Sequence, residues 1–512
     1  MTFELDQDRE IAQLSAKVGA YLGGMVLAAT VLGCQSGVVP ESAQGDPITL
    51  VIEGGRVMDP ESGLDAIRNV GITEGRIVAV SDAELDAAER LDATGLVVAP
   101  GFVDLHAHGQ DAVSNRLQVR DGVTTALEME LGVYPVADWL ASRAGGALIN
   151  YGATVSHPGA RTKLLTGLDV GHSPTQARAQ ADNAAFASDI IYQGLDDTQI
   201  EALSVLMQQG LDEGGLGLGF GVSYTPGATR TEIYRLFQMA AEFDVTAYIH
   251  LRGADSGGTI GAFQEAIANA ASTGASVHIV HMNSTAGELA RTTLEMIRGA
   301  RDGGLDVTTE AYPYTAGSTF IESALFDSWE GRDDESYQLL QWPVTGERLT
   351  RETFQQYRAQ GGWVVMHGRN EETNEWIVAQ PDVMGASDGI PFVHVAVHPR
   401  GAGTFARVLG HYVRERRALG LMEALAKMTI QPARRLEGTA PAMRRKGRVQ
   451  VGVDADLVLF DPDTVIDRST YERPGDPSEG IPYVLVAGTF VVRDGAIVEG
   501  NFPGRAIHKG AE

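Results

Sequence analysis

The chain has 512 residues, of which 44% are hydrophobic and 61 are glycine. This length and composition predict a soluble, turn-rich α/β protein of two or three domains and exclude a disordered chain. The formal net charge of −27 at pH 7 argues against nucleic-acid binding and against docking on anionic lipid through a basic patch.

The N-terminal region predicts export. Residues 18–32 form an apolar run that follows Lys17 and ends just before Cys34, the only cysteine. Residues 1–34 therefore resemble a bacterial lipoprotein signal, with residues 35–47 as a tether, although the first sixteen residues are unusually acidic. The run is short for a membrane span, and an uncleaved anchor helix is the alternative. We expect an exported protein that is lipid-anchored through Cys34 on the periplasmic side of the cell envelope and has no other membrane contact.

Short strand patterns occur at both ends of the remaining chain. Residues 48–98 contain alternating apolar residues separated by Gly-Gly, Asp-Pro and Glu-Gly turns. Residues 447–505 show a similar pattern of short apolar runs between turns. We predict one small β-sandwich domain formed by both ends of the chain, with a single large domain between them.

The middle of the chain, residues 99–446, alternates strand and helix patterns, which predicts a parallel sheet. Eight strand candidates fit a (β/α)8 TIM-like barrel, whose active site lies at the carboxyl ends of the strands. An insertion at about residues 313–380 separates strands seven and eight and is placed to cover the site. The strand candidates are residues 96–106, 123–130, 147–155, 216–222, 245–250, 276–281, 305–312 and 382–388.

Metal-ligand types gather at the ends of these predicted strands. Strand one ends in His106 and His108, whose i, i+2 spacing puts both side chains on one face of a strand. Strand five ends at His250, strand six at His281 and strand eight at Asp388. Four of the 12 histidines thus fall where barrel strands end. Imidazole and carboxylate donors in this arrangement indicate a site for one or two divalent metal ions.

The same pattern resembles the amidohydrolase superfamily and, more narrowly, the D-aminoacylase (N-acyl-D-amino-acid deacylase) family, over about residues 48–505. The supporting runs are APGFVDLHAH (99–108), GVTT (122–125), AYPYTAGST (311–319), HPR (398–400), GTFARVLG (403–410) and ADLVLFDP (455–462). The resemblance implies zinc-dependent hydrolysis of a small linear amide, an N-acyl (D-)amino acid or small peptide. Asp388 would take a proton from the attacking water and deliver it to the leaving amine.

Two positions depart from the family pattern. The family has a cysteine after strand two, where this chain has Glu128 and Glu130, and none of its five lysines lies in residues 216–222 to serve as a carboxylated bridge. We therefore expect Glu130, or failing it Glu128, to be the bridging metal ligand; a salt-bridged glutamate pair is the alternative. After strand six the family has a lysine that contacts substrate, and here Asn283 replaces it, which weakens carboxylate binding.

Further residues are expected to bind substrate. Arg252 keeps its family position and is a candidate carboxylate anchor, Tyr312 and Ser318 match positions that line the family's pocket, and His157 follows strand three at a suitable distance. His398 is a candidate for supporting the site from behind. Two rival functions stay open: a hydantoinase- or dihydropyrimidinase-like cyclic amidase, and a catalytically inactive binding lipoprotein. A homo-oligomeric assembly is also open.

Overall fold

The computed structural model describes residues 47–169, 189–253, 258–392 and 397–510. The predicted signal, Cys34 and all but the last residue of the predicted tether lie outside these residues. In the described part of the chain, no helix combines the length and the apolar character that crossing a membrane requires.

The strands and helices are numbered here in chain order. The strands are β1 (Ile48–Asp59), β2 (Leu64–Thr73), β3 (Arg76–Ser81), β4 (Ala87–Asp92), β5 (Val97–Pro100), β6 (Phe102–Asp104), β7 (Val123–Val133), β8 (Asn150–Ser156), β9 (Gly217–Gly221), β10 (Thr246–His250), β11 (Val277–Ile279), β12 (Val307–Ala311), β13 (Gly317–Phe320), β14 (Leu340–Gln341), β15 (Trp363–Met366), β16 (Met384–Gly385), β17 (Leu457–Phe460), β18 (Tyr483–Val486), β19 (Thr489–Arg493) and β20 (Ala496–Ile497). The helices are α1 (Ala112–Arg120), α2 (Val136–Arg143), α3 (His157–Thr166), α4 (Asp197–Asp212), α5 (Arg230–Glu242), α6 (Gly258–Thr273), α7 (Met282–Ala286), α8 (Ala290–Asp302), α9 (Asp334–Gln338), α10 (Arg351–Gln360), α11 (Glu371–Val378), α12 (Arg400–Arg407), α13 (Leu421–Met428) and α14 (Ile430–Leu436).

Eight parallel strands form the predicted barrel. Their order is β16-β12-β11-β10-β9-β8-β7-β6, and each lies within or across its predicted range. The two outer strands approach each other through a parallel bridge between Ala107 and Gly389, which nearly closes the barrel. The fold prediction is confirmed, and the carboxyl ends of all eight strands therefore meet at one end of the barrel.

The predicted first strand, residues 96–106, is two strands in two different sheets. β5 belongs to the sheet of the chain ends and β6 to the barrel, with Gly101 between them. A Cβ atom at Gly101 would lie 2.2 Å from Cγ2 of Thr124 on β7, so only glycine fits where the backbone passes from one sheet into the other. The sequence pattern was continuous because both strands are fully buried.

The two chain ends pair in one nine-stranded sheet of order β20-β19-β18-β17-β5-β1-β2-β3, with β4 also on β1. β17 runs antiparallel to β5 and places Leu457 opposite Pro100, so the C-terminal strands complete a sheet that the N-terminal strands begin. Buried aliphatic side chains from both ends form its core, among them Ile52, Val57 and Leu459. This is the composite arrangement that the strand patterns predicted.

The outer helices follow amphipathic patterns. α4 begins at a capping box in which Asp196 accepts from the backbone of Gln199 and the Gln199 side chain reaches back. α5 buries Ile233, Leu236 and Phe237 among other residues on one face, and each such side chain contributes about 1.5–3 kcal/mol by leaving water.

The predicted insertion is a small subdomain. β13, β15 and β14 form a three-stranded antiparallel sheet, and Trp329, Tyr337 and Phe354 pack in a separate apolar core beneath it. Because β13 follows closely on barrel strand β12, the subdomain stands at the carboxyl end of the barrel, beside the predicted site.

Candidate metal centre

His106 and His108 follow β6 and face each other inside the barrel. Both are buried, and their Nε2 atoms are 3.1 Å apart, with the two rings nearly perpendicular at 86°. The opposite ring nitrogens are held by carboxylates: Glu310 Oε1 lies 2.5 Å from Nδ1 of His106, and Glu128 Oε2 lies 2.9 Å from Nδ1 of His108. A carboxylate behind Nδ1 keeps the proton there, so both Nε2 lone pairs point into the site.

Glu130 occupies the middle of the site. Its Oε2 lies 2.5 Å from Nε2 of His106 and 3.2 Å from Nε2 of His108. Its Oε1 lies 2.7 Å from Nδ1 of His250 and 3.8 Å from Nε2 of His281. One carboxylate therefore reaches both pairs of histidines, the position that a bridging ligand requires. Glu128 lies behind His108 and does not face the second pair.

His250 and His281 form the second pair at the ends of β10 and β11. Nδ1 of His250 is 3.0 Å from Nε2 of His281. His281 has a φ of +32°, a left-handed conformation that costs an ordinary residue of order 1 kcal/mol and that is concentrated at functional sites. This backbone turn ends the strand and brings the imidazole toward Glu130.

Asp388 completes the first group. Its Oδ1 lies 3.4 Å from Nε2 of His106 and 3.5 Å from that of His108, and its Oδ2 accepts from Nη1 of Arg400 at 2.7 Å. Burial would raise the pKa of the Asp388 carboxyl, but Arg400 and the nearby imidazoles hold it well below its usual value. Its φ of +51° is a second left-handed turn. Asp104 steadies this turn by accepting from the backbone N–H of Ser387 at 3.0 Å.

The donor atoms fit divalent cations. Ligands of a tetrahedral zinc ion at about 2.1 Å stand roughly 3.4 Å apart. Apart from the shorter His106–Glu130 contact, the contacts that His106 and His108 make within the first group are 3.1 to 3.5 Å long. Two sets can each surround one ion: His106, His108, Glu130 and Asp388; and Glu130, His250 and His281. Burial disfavours protonated His106, yet Asp388, Glu310 and Glu130 hold its pKa well above its usual value. This excess of negative charge suits a metal cation.

A cavity opens onto this centre. Barrel residues His108, Glu130, His250 and Asp388 line one part of it. The insertion supplies much of the rest, including Phe320, Leu325, Trp363, Met366 and Arg369. The insertion therefore forms one side of the cavity above the centre.

Only some of the predicted substrate-binding residues line the cavity. Arg252 and Ser318 line the cavity, but Arg252 is already paired with Glu265 at 2.8 Å. Tyr312 is buried, and its hydroxyl accepts from Arg369 at 2.7 Å.

Two other predicted substrate ligands lie behind the cavity wall. His157 is fully buried, and its Nε2 lies 2.8 Å from Glu232. Asn283 is also buried; its amide donates to the Tyr312 carbonyl at 2.8 Å and to Asn374 at 3.0 Å. Neither residue is among those that line the cavity, and each side chain is occupied by internal partners.

Three residues at the site carry no sequence-based prediction of their own: Glu310, Arg400 and Arg369. A glutamate inside the buried strand β12 was a signal, because such a charge is rarely buried without a partner. Arg400 lies in the HPR run, and its backbone N–H donates to Nδ1 of His398 at 3.1 Å, so His398 lies behind Arg400. No sequence feature marked Arg369.

Known proteins share this architecture. A family model described as "Amidohydrolase family" matches residues 368–492. The N-acyl-D-glutamate deacylase of Alcaligenes xylosoxydans xylosoxydans is 30% identical over 500 residues, covering 91% of this chain and 98% of that protein. The structure of N-acyl-D-glutamate deacylase from Bordetella bronchiseptica, complexed with zinc and a phosphonate inhibitor, has a TM-score of 0.76 at 27% identity, covering 90% of this chain and 100% of that one.

A structure of D-hydantoinase is more distant, with a TM-score of 0.60 at 17% identity over 91% of this chain and 100% of that one. At that identity it shares the fold alone, so the cyclic amidases are not the nearer group. The near-complete coverage of the deacylases, together with the donor set at the strand ends, makes this chain a hydrolase of carbon–nitrogen amide bonds: it belongs to the N-acyl-D-amino-acid deacylase family of metal-dependent amidohydrolases.

Proposed function

We propose that the protein hydrolyses the linear amide of N-acyl-D-amino acids with the help of zinc. The observation that carries this proposal is the position of Glu130, whose two carboxylate oxygens face two separate pairs of histidines beside Asp388 at the base of a cavity. A carboxylate that reaches two histidine pairs and a second carboxylate beside them are the components of a metal-dependent hydrolase site.

Each residue of the centre has an assigned part. One ion would be held by His106, His108 and Asp388, a second by His250 and His281, and both by Glu130. Imidazole and carboxylate donors at these separations favour zinc, and the zinc complex of the Bordetella relative supports the same choice. A bound divalent ion would supply an acidified water and polarise the scissile carbonyl.

Asp388 is the proposed general base and acid. Arg400 holds one of its oxygens at 2.7 Å, which fixes the carboxylate plane and leaves the other oxygen facing the centre. Arg400 and the nearby imidazoles lower the pKa of the Asp388 carboxyl and so keep it ionised. The ionised oxygen that faces the centre would accept the proton from water. The proton then passes from Asp388 to the leaving amine nitrogen, which departs as the free amino group.

The cavity favours a substrate with an apolar arm. Phe320 and Trp363 pack with ring centroids 4.1 Å apart, and with Leu325 and Met366 they form an apolar wall on the insertion side. Burial of an apolar acyl chain or side chain there is worth about 25 cal/mol per Å². N-acyl-D-methionine and similar apolar substrates fit this wall better than N-acyl-D-aspartate.

The test is the release of free amino acid by zinc-replete protein from N-acetyl-D-methionine, its L enantiomer, N-acetyl-D-glutamate and a 5-substituted hydantoin. We expect turnover of the D-acyl compounds and loss of that turnover in Asp388→Asn. Faster turnover of the hydantoin than of every linear amide, or no turnover in zinc-replete protein, would contradict the proposal.

We also propose that the protein is exported and anchored through a lipid on Cys34. The apolar run before Cys34 supports this, and it lies outside the described residues. Detergent phase partitioning of the full-length chain expressed in a bacterium tests it. The wild-type chain should enter the detergent phase and Cys34→Ser the aqueous phase, and identical partitioning would contradict the anchor.

A further inference from the structure

His278 is a buried histidine behind the metal centre that belongs to neither proposed ion position. It lies on β11, three residues before His281, and its side chain is fully buried. Its Nε2 lies 3.2 Å from Oε2 of Glu310 on the neighbouring strand β12. The other oxygen of Glu310 contacts His106. One carboxylate therefore connects His278 to a proposed metal ligand.

The contacts of the His278 ring fix its orientation and the position of its proton. A carboxylate only accepts hydrogen bonds, so Nε2 of His278 donates to Glu310. Nδ1 lies 2.8 Å from the Thr308 hydroxyl, which occupies the second ring nitrogen. The Tyr248 ring packs against the imidazole with a centroid distance of 5.3 Å. A ring held in this way can fix the plane of the carboxylate to which it donates.

Glu310 reaches both halves of the metal centre. Its Oε1 lies 2.5 Å from Nδ1 of His106 in the first group. The same oxygen accepts from the backbone N–H of His281, a residue of the second group, at 3.4 Å. His281 has a φ of +32°, so this contact lies at the turn that brings its imidazole toward Glu130. The rings of His106 and His281 have centroids 5.3 Å apart, and one carboxylate supports both residues.

Glu128 supports one half of the centre only. Its two oxygens lie 3.0 and 2.9 Å from Nδ1 of His108. In the described part of the chain, its carboxylate makes no hydrogen bond to His250 or His281. Glu128 is thus the usual partner of a single ligating histidine, whereas Glu310, held by His278, serves one residue of each ion position.

We propose that His278 is a positioning residue of the metal centre, which acts through Glu310 to set metal affinity at both ion positions. The inference rests on the proposed function only for those two positions, and its test needs no turnover. Without the hydrogen bond from His278, the Glu310 carboxylate can rotate away from His106 and from the turn at His281. Both ligands then lose part of their orientation before metal binds.

The experiment titrates metal-depleted protein with zinc against a chromophoric chelator, which gives a dissociation constant for each ion. In His278→Leu we expect both constants to rise by about 10-fold or more, the usual effect of losing a partner of ligating residues. His278→Gln should recover most of the loss, because its amide nitrogen stands near the place of Nε2 and can donate to Glu310. His278→Asn should recover little, because its shorter amide reaches only the place of Nδ1, beside Thr308.

Two control variants separate the proposed role from simpler ones. Glu128→Gln should weaken one ion position and leave the other within about threefold of wild type. His157→Leu removes another fully buried histidine that contacts a glutamate, Glu232 at 2.8 Å, away from the centre. It should leave both constants within about threefold of wild type. The thermal midpoints of the metal-depleted variants show whether each is folded.

The visible spectrum of bound Co²⁺ adds a readout of ligand geometry. We expect His278→Leu to change the spectrum of both bound ions and His157→Leu to keep the wild-type spectrum. If His278→Leu does not fold, the comparison of His278→Gln with His278→Asn carries the same test.

Several results would overturn the inference. One is a change in a single dissociation constant, or in neither beyond about threefold, when the donor of His278 is lost. Equal losses in the glutamine and asparagine variants would mean that the ring only fills space. A wild-type protein that binds a single ion would leave no second position to support. If both ions bind with the expected shifts and no amide is hydrolysed, the proposed function alone is wrong.

Discussion

Glu310 is expected to control metal affinity although it does not face the metal centre. Both of its carboxylate oxygens are used inside the barrel: Oε1 lies 2.5 Å from Nδ1 of His106, and Oε2 lies 3.2 Å from Nε2 of His278. Burial raises the pKa of the Glu310 carboxyl, but the two imidazoles outweigh burial and lower it to about 2. The charged carboxylate thus orients His106 and makes its Nε2 a stronger donor.

Glu310→Gln keeps the shape and removes the charge. We expect metal affinity at the His106 end to fall by about 10- to 100-fold, the usual cost of losing such a partner, which corresponds to about 1.4–2.7 kcal/mol. Competition with a chromophoric chelator measures the dissociation constant directly. Glu232→Gln is the control, because Glu232 is also a fully buried glutamate that contacts a histidine, His157 at 2.8 Å, but away from the centre. Dissociation constants within about threefold for wild type and Glu310→Gln would refute the reasoning.

Two further predictions concern the catalytic carboxylate and the metal. Asp388→Asn should lower kcat by about 10²- to 10⁴-fold, because the amide cannot carry the proton, while circular dichroism stays native; near-normal turnover would remove Asp388 from its role. Chelation should lower the thermal midpoint, because the buried carboxylates then repel one another. A ligand present at 1,000 times its dissociation constant stabilises the folded state by about 4 kcal/mol, and chelation removes that stabilisation. Scanning calorimetry measures the midpoint before chelation, after chelation and after zinc is added back. If the midpoint is the same in all three cases, no ion is held in the folded protein.

The barrel and the main donor set could be predicted because their signals are local. Each barrel strand is a short apolar run between turns, and the histidines stand at the ends of those runs. The place of each histidine in the sequence therefore predicts its place at the carboxyl end of a barrel strand. The alternation of side chains along a strand put Glu128 and Glu130 on one face, and the choice of Glu130 as the bridging ligand stays a prediction. The split of the first strand at Gly101 was not visible, because fully buried strands of two sheets have the same apolar pattern.

Contacts made across the fold were beyond sequence reasoning. Arg252 looked like a carboxylate anchor by its position after β10, yet Glu265, on the following helix, takes up its charge. Arg369 gave no signal, because its place depends on how the insertion packs over Tyr312. The ends of strands are set by local patterns, whereas the pairing of side chains depends on which distant segment arrives beside them.

The most direct test of the account is a count of bound metal by elemental analysis of metal-replete protein lacking residues 1–34, beside the Glu130→Gln variant. A carboxylate shared by two ions predicts about two ions per chain in the wild type and about one in the variant. About one ion in both proteins would contradict the shared carboxylate and leave Glu130 outside the metal centre.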